Sequence, residues 1–140
     1  MADTIQVDIV SAEGEIFSGP AHMVFLPARE GEIGVTPRHA PLLTLLNPGE
    51  VRVRTPDDTE QSFYVGGGAL EVQPKKVTVL ADTAARAKDL DEAAALAARQ
   101  RAEEALASRT DKIEQAEALA ELARITAQLK MIQRLRKIKG

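Results

Sequence analysis

Residues 77–96 read VTVLADTAARAKDLDEAAAL, and the character of the chain changes within this stretch. Val77 to Leu80 is the last of a series of short apolar segments typical of β-strands. From Ala84 onward the sequence is rich in Ala, with neither Pro nor an internal Gly to interrupt a helix. The stretch therefore marks a junction near residue 85 between strands and helices.

Composition differs on the two sides of this junction. All 7 Pro lie at or before Pro74, and 8 of the 9 Gly lie at or before Gly68. Residues 1–85 contain 6 Lys and Arg against 12 Asp and Glu, whereas residues 86–140 contain 12 against 9. We therefore predict two domains, an acidic one at 1–85 and a more basic one at 86–140.

The first domain has the pattern of a small β-sandwich. Ile5, Val7 and Ile9 alternate with polar residues, so one face of this strand should be buried. Turn-forming residues recur every 8–12 positions, which predicts eight to ten short strands in a sandwich or barrel. Pro27 and the sequence Asn47-Pro-Gly49 are predicted to end strands.

The second domain has the pattern of an antiparallel helical hairpin. Asp89, with Glu92 three residues later, predicts the start of a first helix that runs to about Leu106. The segment 108–111 predicts a break, with Asp111 capping a second helix from Ile113 toward Ile138. Small residues on the first helix should face larger ones on the second: Ala95, Ala98, Ala102, Ala105 and Leu106 against Ala118, Leu122, Ile125, Leu129 and Ile132.

The inventory of reactive residues excludes several classes of site. The chain has no Cys and only two His, so a disulfide framework, a thiolate metal site and a His-rich metal centre are excluded. No apolar run approaches the roughly 20 residues of a membrane helix, and no secretory signal precedes the first strand. A net charge of -3 gives no reason to expect nucleic acid as a partner.

Three segments are candidates for chemical sites. Gly66-Gly-Gly68 is not followed by the Lys and Ser or Thr of a phosphate-binding loop, which favours a bulge or a close approach of two backbones. Glu30 and Glu32 could form a glycosidase pair, but solvated acids fit better because no aromatic platform is nearby. His39 could act as a general base, although no nucleophile motif accompanies it, which favours a structural or interface role. We therefore predict no catalytic residue, metal ligand or cofactor.

The C-terminal end of the chain is strongly basic. Lys130, Arg134 and Lys137 fall on one helical stripe, Arg136 lies beside them, and no acidic residue follows Lys130. These charges either complement the dipole of the helix or dock on an acidic partner surface.

Taken in order, the sequence motifs resemble those of the epsilon subunits of bacterial F-type ATP synthases. The matching segments are Val10-Ser-Ala-Glu13, Phe17-Ser-Gly19, Glu30-Gly-Glu-Ile-Gly-Val35, His39-Ala-Pro-Leu-Leu-Thr44, Pro48-Gly49, Gly67-Gly68, Leu70-Glu-Val-Gln-Pro74, Val77-Thr-Val-Leu-Ala-Asp-Thr-Ala84, Asp89-Leu-Asp-Glu-Ala93 and Ala120-Glu-Leu-Ala123.

The resemblance implies a non-catalytic central-stalk subunit that couples proton flow to ATP synthesis. It implies a sandwich that binds the gamma subunit and the c-subunit ring, and a hairpin that restrains ATP hydrolysis when it extends toward alpha and beta. It places the protein at the cytoplasmic face of the inner membrane, attached only indirectly through the c ring.

The resemblance also extends to individual residues at the predicted contact surfaces. Glu32 and His39 match positions that face the c ring, and Arg38 stands where the family usually has Gly. Lys130, Arg134, Arg136 and Lys137 occupy the part of the second helix that can meet acidic segments of beta.

An ATP site is found in some members of the family, and its motif is incomplete here. In Leu90-Asp-Glu-Ala-Ala-Ala95, Ala94 replaces the motif Arg, so Asp91, Arg99 and Arg124 are left as weak candidates and no ATP binding is expected. The alternatives are a nucleotide sensor that uses the same hairpin, or a small β-sandwich ligand-binding module or enzyme with a helical oligomerisation tail.

Overall fold

The computed structural model describes residues 3–108 and 111–139. Its contacts divide the chain into two compact units, the first ending at Ala87 and the second beginning at Lys88. The described part of the first unit contains eight strands: β1 (Ile5–Ser11), β2 (Gly14–Ala21), β3 (Met23–Ala28), β4 (Gly31–Val35), β5 (Leu42–Arg54), β6 (Glu60–Gln73), β7 (Lys76–Ala81) and β8 (Ala84–Arg86). A 3₁₀ turn (Ala87–Asp89) then leads to α1 (Glu92–Ser108) and α2 (Lys112–Lys139).

The strands form one hydrogen-bonded sheet in the order β2-β1-β7-β6-β5-β3-β4, and β8 also pairs with β6. The two longest strands, β5 and β6, run through both halves of this sheet. Residues 42–46 of β5 pair with the second half of β6, which continues to β7 and β1. Residues 48–54 of β5 pair with the first half of β6, beside β3 and β8.

The two halves of the sheet share one apolar core. Ile5, Val7 and Ile9 are fully buried as their alternation predicted. The core cluster joins residues of the half that contains β1 and β7 to residues of the half that contains β3 and β4, among them Leu70, Val77 and Val79 with Val24, Leu26, Val53 and Phe63. Because side chains from both halves meet in one cluster, the halves face each other as two layers. The predicted class, a β-sandwich followed by two helices, is confirmed.

Two predicted strand ends were wrong. β5 continues through Asn47-Pro-Gly49, and β3 continues through Pro27 to Ala28. Between the pairs Phe25–Arg52 and Ala28–Leu46 the register of β3 and β5 shifts. Pro27 and Pro48 lie within this bulge and have no partner in the ladder between β3 and β5. Their missing N–H groups therefore cost no hydrogen bond between these two strands. Gly49 leaves room for the ring of Pro27 on the neighbouring strand, since a Cβ at position 49 would lie 2.7 Å from the Cβ of Pro27.

The prediction for Gly66-Gly-Gly68 is confirmed as a close approach of two backbones. Gly67 and Gly68 have φ angles of +100° and +137°, which side chains rarely adopt. A Cβ at Gly68 would lie 2.9 Å from the Cα of Ala81 and closer still to the carbonyl oxygen of Leu80. The glycines therefore let β6 pass tightly beside the end of β7.

The N-terminal cap of α2 is the predicted residue, whereas the N-terminal cap of α1 is a different one. The N–H of Ile113 donates to Asp111 Oδ1 at 2.8 Å, which confirms the predicted cap of α2. For α1, however, the cap is Asp91 rather than Asp89, because the N–H of Ala94 donates to Asp91 Oδ1 at 3.2 Å. Asp89 lies in the 3₁₀ turn that precedes α1, so the helix begins later in the chain than a cap at Asp89 would place it. The predicted break between the helices falls partly on residues 109 and 110, outside the described part of the chain.

Small residues of α1 pack against larger residues of α2. The buried cluster of the second unit consists of Ala95, Ala102, Ile125 and Leu129, with Ala98 and Leu122 half-buried against it. This arrangement confirms the central part of both predicted stripes. Because Ala removes side-chain bulk from one partner, it permits the two helices to lie close together.

Candidate docking surfaces

Three leucines are exposed on the outer surface of the sandwich. Leu43, Leu45 and Leu80 retain 75%, 53% and 56% of their accessible surface, and we call these three residues the leucine patch. The register aligns Leu45 with Ala69 on β6 and Ala69 with Leu80 on β7, so the patch crosses three adjacent strands. Exposed leucines grouped in this way make this face a candidate docking surface.

Polar side chains lie at the β1 and β2 side of the leucine patch. Asp8 Oδ1 accepts hydrogen bonds from Gln6 Nε2 at 2.9 Å and from Ser18 Oγ at 2.8 Å, and Lys76 Nζ lies 3.0 Å from Asp8 Oδ2. The hydrogen bond from Gln6 foremost, joined by Ser18 and Lys76, outweighs partial burial and holds the pKa of Asp8 below its ordinary value. A fixed charged cluster beside an apolar patch resembles the polar rim of a protein interface.

Sequence reasoning missed the leucine patch, although a signal was present. The run Leu42-Leu-Thr-Leu-Leu46 places apolar residues on both faces of β5, whereas a strand with one solvated face should alternate. Leu46 is buried in the core, and Leu43 and Leu45 point to the opposite face.

The three predicted c-ring residues lie in two separate places. Glu32 lies near the start of β4, where Glu32 Oε1 accepts a hydrogen bond from Arg52 at 2.9 Å. The guanidinium of Arg52 also lies over the ring of Phe25, 4.3 Å from its centroid. Glu32 is thus held against the outer surface of β3, β4 and β5.

Arg38 and His39 lie in the loop that follows the other end of β4. Arg38 has a φ of +67°, its N–H donates to the carbonyl of Pro74 at 2.9 Å, and its guanidinium pairs with Asp3. His39 is half-buried, and its Nδ1 donates to the carbonyl of Ala40 at 2.7 Å. Gly adopts a positive φ of this kind at less cost than Arg does.

The surroundings of Glu30 and Glu32 bear on the alternative that they form a glycosidase pair. Glu32 is engaged by Arg52, and Glu30 is exposed in the turn between β3 and β4. Within residues 3–108 and 111–139 no cluster of His, Asp and Glu has the arrangement of a metal site.

The basic residues predicted near the C-terminus lie on the last turns of α2. Lys130, Arg136 and Lys137 are exposed and Arg134 is half-buried. The guanidinium of Arg136 forms an ion pair with the carboxylate of Glu92, the first residue of α1. Because α2 has 28 residues and α1 has 17, this end of α2 reaches the start of α1 and beyond.

The three weak candidates for an ATP site lie at different places in the hairpin. Asp91 caps α1, and Arg99 Nε lies 3.5 Å from Glu103 Oε1, while Arg124 is half-buried on α2. A cavity of about 130 Å³ lies between the helices, smaller than the roughly 300–1,000 Å³ of ordinary ligand pockets. Its walls are small and acidic: Ala102, Ala105, Ala118, Glu114, Glu117 and Glu121.

Neither described helix is both long enough and apolar enough to cross a membrane. A small sandwich with exposed apolar side chains, joined to a hairpin with a basic end, fits a subunit that docks in a larger assembly. Family comparison specifies the assembly. Residues 4–87 match the beta-sandwich domain of the ATP synthase delta/epsilon chain, and residues 88–133 match its long alpha-helix domain.

Individual relatives agree over the whole chain. The ATP synthase epsilon chain of Nitrosococcus oceani is 64% identical over 140 residues, which are all of both chains. That of Alkalilimnicola ehrlichii is 63% identical over 134 residues, 96% of each chain. The chain therefore belongs to the ATP synthase delta/epsilon family, as one of the epsilon chains, which are central-stalk subunits of the F-type enzyme. The predicted resemblance is confirmed.

Solved structures share the fold at low sequence identity. A chain in the cryo-EM structure of Euglena gracilis mitochondrial ATP synthase (OSCP, F1 and c-ring) superposes with a TM-score of 0.80 at 19% identity, covering 91% of this chain and 79% of that one. A chain in the central stalk and c-ring structure from Tetrahymena thermophila gives a TM-score of 0.69 at 12% identity, covering 93% and 97%.

Proposed function

We propose that this epsilon chain couples proton-driven rotation to ATP synthesis while its hairpin restrains ATP hydrolysis. In this proposal the sandwich binds gamma and the c ring, and the hairpin meets alpha and beta when it is extended. The protein is then peripheral, held at the cytoplasmic face of the inner membrane through the c ring. The observation that carries the proposal is the leucine patch, a group of exposed apolar side chains on the outer face of the sandwich.

The leucine patch is the proposed binding surface for gamma. Its central row, Leu45, Ala69 and Leu80, is apolar, and the Asp8 cluster supplies a polar edge. Burying such leucines against a partner removes apolar surface from water, at about 25 cal/mol per Å². A charged side chain introduced there would have to be desolvated without a partner.

Binding of purified gamma to the full chain tests this surface. Leu80→Glu should weaken binding at least tenfold, and Leu45→Glu should do the same. Gln61→Glu is the matched control, since it adds the same charge at an exposed position on β6 outside the patch. Equal affinities for Leu80→Glu and Gln61→Glu would count against gamma docking at this surface.

Glu32, Arg38 and His39 are the proposed contacts to the c ring. They lie near opposite ends of β4, so they would meet the ring as two separate contacts. Glu32→Lys should reduce ATP-driven proton pumping in reconstituted vesicles more than it reduces ATP hydrolysis. Arg52→Gln, which removes the intramolecular partner of Glu32, separates loss of the ring contact from loss of that ion pair.

The basic end of α2 is the proposed inhibitory element. Neutralising Lys130, Arg134 and Lys137 together should raise the ATP hydrolysis rate of the assembled enzyme. Arg101→Gln with Lys112→Gln is the control, because these exposed cations lie elsewhere on the hairpin. An unchanged hydrolysis rate in the triple variant would contradict this role.

A further inference from the structure

The helices of the hairpin are joined by an ion pair at their open end. At the start of α2, Asp111 accepts hydrogen bonds, among the described residues, only from N–H groups of α2 itself, those of Ile113 and Gln115. At the opposite end, the ion pair between Glu92 and Arg136 joins the first residue of α1 to the last turns of α2. Between them the buried cluster contains two alanines, Ala95 and Ala102, with Ile125 and Leu129. With so little apolar surface between the helices, a contact at the open end weighs heavily in their separation.

Glu92 is well placed to hold a cation. Its side chain is half-buried, with 27% of its surface exposed, and it occupies the first turn of α1, where the helix dipole favours a carboxylate. Arg136 is more exposed and belongs to the same basic end of α2 as Lys130 and Lys137.

We propose that the Glu92–Arg136 ion pair is a latch that keeps the basic end of α2 from binding an acidic partner surface. The inference rests on the proposed function, in which the basic end of α2 restrains hydrolysis. Arg136 belongs to both arrangements: it binds Glu92 when the hairpin is closed and a partner carboxylate when it is open. Opening must therefore break the latch, and the two carboxylates compete for one guanidinium.

The latch predicts opposite effects for its two halves. Glu92→Gln frees Arg136 without removing it, so the open state becomes more accessible and inhibition of hydrolysis should increase. Arg136→Gln also opens the latch, but it removes a cation that the partner needs, so inhibition should not increase. A residue with a purely structural role in the hairpin would give changes of the same sign from either side.

Hydrogen exchange of the full, isolated chain measures the latch independently of inhibition. Glu92→Gln and Arg136→Gln should each speed exchange of the amides at 130–138 about two- to fivefold, the range expected of an exposed ion pair. The double variant should exchange no faster than the faster single variant. Glu103→Gln is the matched control, because Glu103 pairs with Arg99 inside α1 and does not join the helices.

Two results would overturn the latch. One is exchange at 130–138 that is the same in Glu92→Gln and Glu103→Gln. The other is unchanged inhibition in Glu92→Gln while the variant lacking Lys130, Arg134 and Lys137 is still released from inhibition, which leaves the proposed function standing. If that triple variant is not released, the proposed function fails, and the exchange data alone decide whether Glu92 and Arg136 fasten the hairpin.

Discussion

Gly68 and Gly14 have nearly the same φ angle but different surroundings. Their φ angles are +137° and +131°, outside the range that side chains ordinarily adopt. Around Gly14 no heavy atom lies within 4 Å of an added Cβ, whereas at Gly68 the backbone of Leu80 and Ala81 fills that space. The pair therefore separates the cost of an unfavourable φ from the cost of a steric clash.

Replacing each glycine by alanine should give two distinct losses of stability. Gly14→Ala should lower the free energy of unfolding by about 1–3 kcal/mol, the cost of a strained backbone. Gly68→Ala should cost more than about 4 kcal/mol or prevent folding, because β6 and β7 must move apart. Urea unfolding followed by circular dichroism measures both. Equal losses would show that the close approach at Gly68 can relax freely.

Arg38 is strained in the folded chain and is held by an exposed ion pair. Its φ of +67° costs a non-glycine residue about 1–2 kcal/mol, while an exposed ion pair such as the one with Asp3 contributes at most about 1 kcal/mol. The charge at this position is therefore kept at a net cost to stability, which fits a residue that contacts a partner.

Two substitutions at Arg38 separate these contributions. Arg38→Ala removes the ion pair and keeps the strain, so the protein should become slightly less stable. Arg38→Gly also relieves the strain and should be about 0.5–1 kcal/mol more stable than Arg38→Ala, after allowing for the extra flexibility of glycine when unfolded. Urea unfolding of the two variants tests the difference, and a less stable glycine variant would contradict it.

At the scale of strands and helices, local patterns predicted the elements better than their ends. The alternation of Ile5, Val7 and Ile9 and the cap at Asp111 depend on neighbours in sequence, and both were predicted correctly. The continuation of β5 through Asn47-Pro-Gly49 depends on pairing with β6 and on a bulge against β3, which one segment of sequence does not reveal. The choice of Asp91 over Asp89 likewise depends on the 3₁₀ turn that precedes α1.

For the candidate docking surfaces, too, the sequence predicted local patterns but not contacts between distant positions. The basic stripe of α2 was visible from helical spacing alone, but the ion pair between the adjacent Arg136 and Glu92 joins positions that are distant in the chain. The separation of Glu32 from Arg38 and His39 follows from the direction of β4, although the three lie close in sequence.

Asp8 links three strands, and its charge should make their pairing depend on pH. Its pKa is lowered in the folded chain, so its carboxylate contributes stability fully above the ordinary value of 3.8. This contribution is lost as the pH falls through the lower folded pKa. Asp8→Asn should therefore be less stable than the parent chain near pH 7, and the two should converge below about pH 4.

Urea unfolding across this pH range measures the difference between the parent chain and Asp8→Asn. Glu13→Gln serves as a control for removing an exposed carboxylate from the neighbouring turn. A difference that is the same at pH 7 and at pH 3 would show that the Asp8 charge does not bind the strands together.

At the scale of the whole molecule, the two units differ in how much apolar surface each buries. The core cluster of the sandwich is drawn entirely from residues before Ala87, and all eight described strands lie there. In the described part of the hairpin the buried cluster consists of Ala95, Ala102, Ile125 and Leu129, and Met131 is buried as well. This difference agrees with the proposed division between a stable sandwich and a hairpin that can rearrange.

Cutting the chain after Ala87 tests that difference directly. The fragment 1–87 should fold by itself and unfold in one cooperative transition, because it retains every residue of its core. The fragment 88–140 should show partial helix that melts gradually, since two helices with a mostly alanine interface are marginal in water. Circular dichroism during heating distinguishes the two, with the full chain as reference. An unfolded 1–87 fragment would mean that the sandwich depends on the hairpin, and a hairpin that leaves it could then not act as a reversible switch.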